Sequence, residues 1–107
     1  MRKLFLLALL AATTVHAEFR TGNKLLDDLN GENYYAKGVA MGYIMGATDA
    51  GSGANHCPPA SVTAGQVQDM VKNTLETVPA IRHFSADLIV NYVLNKAWPC
   101  AKKGQNL

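Results

Sequence analysis

Residues 63–79, TAGQVQDMVKNTLETVP, contain both ends and the apolar face of one helix. Thr63 and Gln66 form the capping-box pattern, in which each side chain can bond to a free backbone amide of the other residue. Pro79 cannot continue a helix and ends the pattern. Between these ends, apolar and small residues recur at intervals of three and four, as on one face of an α-helix. They are Val67, Met70, Val71, Thr74, Leu75 and Val78.

Three further helices are predicted on the same grounds, from capping residues, apolar spacing and helix-ending Gly or Pro. The last has the apolar stripe Ala86, Ile89, Val90, Val93, Leu94 and Ala97. No segment is convincing as a strand, so we expect an all-α domain of four small helices. The predicted spans of these three helices, each with its capping residue first, are Thr21 to about Asn30, Asn33 to about Ala50 and Ser85 to Ala97.

Glycine repeats every fourth residue along the second predicted helix, at Gly38, Gly42 and Gly46. Each glycine inside a helix costs about 1 kcal/mol relative to alanine. Three of them indicate that another helix backbone approaches along this stripe. Packing inside the domain is one explanation, and a dimer interface built on the stripe is the other.

The first seventeen residues have the three parts of an export signal. Arg2 and Lys3 provide the positive start, residues 4–12 are apolar, and Ala17 is the small residue at the expected cleavage site. A bilayer span needs about 20 apolar residues, so this run is too short to cross one. We therefore expect residues 1–17 to be cleaved and 18–107 to form one exported domain. An uncleaved membrane anchor is the alternative.

Charge excludes two classes of partner. Two of the ten Lys and Arg residues lie in the predicted signal, which leaves eight basic and eight acidic residues in the mature chain. Binding to nucleic acid is dominated by neutralisation of phosphates, and an anionic membrane surface likewise attracts basic segments. A neutral chain without a basic run predicts neither partner.

The chain has two cysteines, Cys57 and Cys100. Export places them in an oxidising compartment, where a small domain commonly needs a disulfide. We expect one intramolecular bridge, with an intermolecular bridge or free thiols as the alternatives.

The titratable residues do not predict catalysis, and we expect no catalytic, metal or cofactor site. His56 precedes Cys57, but the expected disulfide removes that thiol as a nucleophile. Asp27 and Asp28 are expected on a solvated helix face.

Asp49 lies in the last turn of its helix, where the helix dipole disfavours a carboxylate. We expect the negative charge of Asp49 to be offset by Arg82 or by free backbone amides at the start of the third helix.

Several short motifs together resemble the Rap/Tai family of type VI secretion immunity proteins. They occur in the same order over residues 19–100, which makes the set more specific than any one motif. The motifs are Thr21-Gly22-Asn23, Gly42-Tyr43-Ile44-Met45-Gly46 with Asp49-Ala50, Cys57-Pro58-Pro59, Val62-Thr63-Ala64-Gly65-Gln66 with Asp69, Pro79 with Arg82-His83, and Ala97-Trp98-Pro99-Cys100.

The resemblance implies a periplasmic, disulfide-bridged helical protein that forms a homodimer. Its partner would be a peptidoglycan amidase with a Cys–His active site, which rival cells inject and which the immunity protein occludes. A standard interface buries about 800 Å² per partner, and tight binding favours a stiffened contact element. The loop at residues 52–61 is such an element, and we predict Asn55 and His56 as contacts. A periplasmic acid-stress chaperone is the alternative function.

Overall fold

The computed structural model describes residues 19–101, and the predicted signal peptide at residues 1–17 lies outside them. The described part contains no β-strand, which confirms the all-α prediction. A 3₁₀ turn at Pro79–Ile81 is an element that the sequence pattern did not predict. The four α-helices are α1 (Gly22–Asn30), α2 (Tyr34–Gly51), α3 (Ala64–Thr77) and α4 (Ala86–Ala97).

Side chains close to the helix ends determine where the first three helices begin. The Thr21 hydroxyl accepts from the Lys24 amide at 3.2 Å. The capping box at α3 is complete, since Thr63 accepts from the Gln66 amide at 3.1 Å and the Gln66 side chain accepts from the Thr63 amide at 2.8 Å. Asn33 caps α2 through the amides of the following residues. These three predicted caps are confirmed.

Ser85 precedes α4 as predicted but does not cap it through its side chain. Its hydroxyl donates instead to the Asp87 carboxylate at 2.6 Å. The Ser85 backbone is held by an isolated β-bridge to Thr21, and the Ala86 amide donates to the Arg20 carbonyl at 2.7 Å. The start of α4 is therefore fastened to the chain before α1 rather than by a local cap.

The core is formed by apolar residues from all four helices. Val78 and Ala97 were expected on buried faces but are exposed, because each lies where its helix ends and the chain turns away. The buried apolar residues are Leu25, Leu29, Ala40, Ile44, Val67, Val71, Leu75, Ala86, Ile89, Val90, Val93 and Leu94.

Cys57 and Cys100 form one intramolecular disulfide, which confirms the predicted pairing. Neither cysteine is free within residues 19–101. The bridge joins the segment before α3 to the segment after α4, so it closes the chain across the last two helices. Within residues 19–101, no helix is both long enough and apolar enough to cross a membrane.

The glycine stripe on α2 does not pack inside the domain, and that explanation is wrong. No described atom lies within 4 Å of the position that a Cβ would take at Gly38, Gly42 or Gly46. The glycines that the fold requires are Gly22 and Gly51. A Cβ at Gly22 would lie 2.5 Å from Ile89 Cδ1, and helix packing leaves no space for it.

Candidate functional site: the disulfide loop

The candidate site is the segment between α2 and α3, residues 52–61, which we call the disulfide loop because it contains Cys57. It turns sharply directly after α2. Gly53 has a positive φ of 86°, a backbone conformation that favours glycine. Most residues of the loop are exposed, so it is a surface feature that a partner can reach.

Backbone hydrogen bonds hold the first half of the loop. The Asn55 amide donates to the Gly51 carbonyl at 2.8 Å, and the Gly53 amide donates to the His56 carbonyl at 2.8 Å. The Cys57 amide donates to the Trp98 carbonyl, also at 2.8 Å. Together with the disulfide, these bonds fasten the loop to the ends of both α2 and α4. The expectation of a stiffened element therefore has a structural basis.

His56 was predicted as an effector contact, and the structure contradicts this prediction. Its side chain is fully buried. Its Nε2 atom lies 2.6 Å from the position that a Cβ would take at Gly51, so the ring occupies the space that this glycine leaves open. Neither ring nitrogen has a hydrogen-bond partner among the described residues. His56 therefore anchors the loop from inside and does not face a partner.

Asn55, the other predicted contact, is exposed at the end of the loop. Its carbonyl accepts from the Asn95 side chain at 2.8 Å, and its own amide group donates to the Asn91 side chain at 3.5 Å. Ser52, Gly53 and Ala54 are exposed beside it. These four residues form the loop tip, whose backbone is held while its side chains remain accessible.

A shallow groove runs along the other side of the loop. Trp98 and Met70 are partly buried in its wall, and Asp69 is an exposed carboxylate at the groove. The full lining is Pro59, Ser61, Val62, Gln66, Asp69, Met70 and Trp98. Several of these residues belong to the motifs that carried the family resemblance.

The disulfide loop has no free thiol and no metal-holding cluster among the described residues. Cys57 is in the disulfide and cannot act as a thiolate nucleophile. Across residues 19–101, no three His, Cys, Asp or Glu side chains come together in a way that could hold a metal ion.

A sequence profile of the Rap1a immunity proteins matches residues 21–100, which include every described helix and the disulfide loop. The chain belongs to the Rap1a immunity protein family. This membership confirms the resemblance that the motifs carried. A search of curated proteins found no match.

In this Rap1a-family chain, Arg82 supports the end of α3. Its Nε donates to the Leu75 carbonyl at 2.5 Å, and its Nη2 donates to the Glu76 carbonyl at 3.0 Å. A cation that bonds the last carbonyls of a helix is favoured by the helix dipole. The expected compensation of Asp49 by Arg82 is therefore wrong. Asp49 is exposed and forms none of the salt bridges found among the described residues.

Asp28 was expected to be solvated but is buried, whereas its neighbour Asp27 is exposed. It pairs with Arg20 and, at 3.0 Å, with Lys24. Burial by itself raises the pKa of Asp28, but the hydrogen bonds and charges of Lys24 and Arg20 outweigh it and hold this pKa below its ordinary value. The Arg20 guanidinium also lies 5.8 Å from the centre of the Tyr43 ring, so Arg20 connects α1 to α2.

Three residues of this Rap1a-family site were not found from the sequence. Gly51 was interpreted as a helix-ending residue, although it makes room for His56. Asn91 and Asn95 lie one turn apart on α4 and both contact Asn55. A pair of asparagines four residues apart beside an apolar stripe was the available signal. What they contact depends on how α4 packs, so the signal could not be interpreted alone.

Proposed function

We propose that this protein is a periplasmic immunity protein, which binds a type VI secretion peptidoglycan amidase and occludes its active site. The observation that carries this proposal is membership of the Rap1a immunity family over residues 21–100. The amidase as target and the periplasm as compartment come from the motif resemblance and the predicted export signal. The intramolecular disulfide supports an oxidising compartment.

The disulfide loop is the proposed occluding element. Binding loses less free energy to ordering when the contact element is already held in one conformation. Here the Cys57 disulfide, the buried His56 and the hydrogen bond from Asn95 all restrict the loop. The proposed contacts are the accessible residues Ser52, Ala54 and Asn55, with His56 as their internal support.

A matched pair of substitutions tests this role. Asn55→Arg adds a large charged side chain to the loop tip, and it should raise the Kd for the amidase about 30-fold or more, since removal or obstruction of a central contact commonly costs about 2 kcal/mol or more. Asn73→Arg makes the same change at an exposed position of α3 and should leave the Kd unchanged. The measurement is titration of mature protein against the purified amidase with peptidoglycan hydrolysis as the readout. Equal inhibition by both variants would place the contact outside the loop tip.

We further propose that the protein acts as a homodimer, as the resemblance implies. This quaternary state is separate from amidase binding, and sedimentation of the mature protein without any amidase tests it directly.

A chaperone function is the second candidate, because exposed apolar side chains cluster on α4 and on the segment just before it. Phe84, Leu88 and Tyr92 are each about half exposed beside Ile81 and Ile89. An acid-stress chaperone would suppress aggregation of unrelated unfolded proteins after acidification. An immunity protein would instead form a stoichiometric complex with one amidase and leave unrelated proteins unprotected. Family membership favours the stoichiometric complex with an amidase.

A further inference from the structure

The outward face of α2 carries mostly apolar side chains and glycines. The structure leaves nine residues of this helix exposed, and Asp49 is the only charged one among them. The exposed large side chains include Tyr34 and Tyr35, which are 88% and 81% exposed. The solvent-facing side of a surface helix normally carries charged and polar residues. The nine are Tyr34, Tyr35, Gly38, Val39, Met41, Gly42, Gly46, Asp49 and Ala50.

Within the described domain, no atom comes within 4 Å of the Cβ position at any of the three glycines on this face. Each one weakens an exposed helix relative to alanine. An approaching backbone would explain all three, because a glycine surface lets two helices come closer than larger side chains do. Val39 and Met41 are exposed beside the glycines on the same helix.

The pattern on this face is self-complementary. The helix has 18 residues, so it is about 27 Å long, and Gly42 lies close to its middle. Suppose that the α2 helices of two copies cross antiparallel at Gly42. A residue that lies a given number of positions before Gly42 then faces the partner residue that lies the same number of positions after it. Gly38 then faces the partner's Gly46, and Val39 faces the partner's Met45. Tyr35 faces the partner's Asp49.

The last pair accounts for the single charge on the face. Asp49 lies in the last turn of α2, where the dipole disfavours a carboxylate, and has no salt bridge among the described residues. In the antiparallel arrangement the Tyr35 hydroxyl donates a hydrogen bond to the partner's Asp49. A two-fold dimer forms this bond twice, because an isologous interface repeats every contact.

We propose that a second copy of this chain covers the outward face of α2, with the two helices antiparallel and Gly42 at the two-fold axis. This inference rests on the homodimer proposed above and adds its surface and register. It does not depend on which amidase is bound.

Sedimentation of the mature protein and two leucine variants tests the surface. Gly42→Leu places two large side chains at the axis and should raise the dimer Kd about 100-fold. Leucine is a better helix former than glycine, and no described atom lies within 4 Å of the added Cβ, so the variant should fold. Gly65→Leu, the matched control at an exposed glycine of α3, should leave the dimer unchanged.

A double-mutant cycle tests the register. Tyr35→Phe and Asp49→Ala should each raise the dimer Kd about tenfold, and the double variant should be no weaker than either single variant, since each substitution removes the same hydrogen bond. Additive effects would overturn the antiparallel register.

The outcomes separate this inference from the proposals on which it rests. A monomeric wild-type protein would overturn the homodimer and this surface together, while amidase inhibition is measured independently. A Gly42→Leu protein that stays dimeric would overturn only the surface. If that variant stays dimeric but no longer inhibits the amidase, the face belongs to the amidase instead.

Discussion

His56 shows how a single side chain determines the candidate site. The imidazole is fully buried directly before the disulfide, and it fits only because Gly51 has no side chain. The exposed residues on either side of it are thereby held against the end of α2. A residue that the sequence suggested as a surface contact is therefore part of the support for that surface.

Gly51→Ala should destabilise the protein, because the added methyl group would overlap the imidazole of His56 and the side chain of Asn91. Overpacking of this kind commonly costs about 1–3 kcal/mol in the free energy of unfolding. The measurement is chemical denaturation of the mature protein. Gly65→Ala is the control, since its Cβ would meet nothing closer than 4.0 Å. Equal stability of the two variants would show that His56 moves aside without cost.

At the scale of an element, α1 is held by contacts outside its own turns. Its amides at Gly22 and Asn23 donate to the carbonyls of Phe84 and Arg82 at 3.0 and 2.8 Å. Its buried carboxylate, Asp28, pairs with Arg20, which precedes the helix. A nine-residue helix is only marginally stable alone in water, so these contacts maintain it.

The Asp28 ion pairs predict an acid-sensitive contribution to stability. Because the pKa of Asp28 is lower in the folded protein than in the unfolded chain, the contribution is present above the unfolded pKa of about 3.9. It is lost as the pH falls through the folded value. Denaturation curves between pH 7 and about pH 2 should show that Asp28→Asn removes this part of the pH dependence. Asp27→Asn, its exposed neighbour, should retain it, and identical profiles for both variants would contradict the assignment.

At the scale of the whole molecule, the disulfide joins the two ends of the α3–α4 half. Cys57 and Cys100 are 43 residues apart in the sequence. Four short helices bury a small core, and total stability in such domains is commonly 5–15 kcal/mol or less. One covalent link therefore accounts for a large share of the stability of this fold.

Replacement of both cysteines by serine should lower the free energy of unfolding by about 4 kcal/mol, because the unfolded chain regains the entropy that loop closure removed. Thermal and urea unfolding of the mature protein, with and without reductant, measure this loss. Reductant should have no effect on the serine variant, which serves as the control. If reduced and oxidised wild-type protein unfolded at the same urea concentration, the bridge would not stabilise the fold.

The four helices, three of their caps and the expected cysteine pairing could all be predicted from the order of residues. Thr21, Asn33 and the Thr63–Gln66 capping box act through hydrogen bonds to residues no more than three positions away. Interactions between residues this close in the chain can be predicted directly from the sequence. The two cysteines left only one possible intramolecular bridge. The family followed from motifs that recur in a fixed order.

The neighbours of each helix face could not be predicted from the order of residues. The burial of His56, the requirement for Gly22 and Gly51, and the exposure of the α2 glycines all depend on contacts between residues distant in the chain. Arg82 likewise bonds the end of α3 and not Asp49. Periodicity shows that a helix has an apolar face, but it does not show which neighbour covers that face. That choice depends on how the helices pack, and packing is a property of the whole chain.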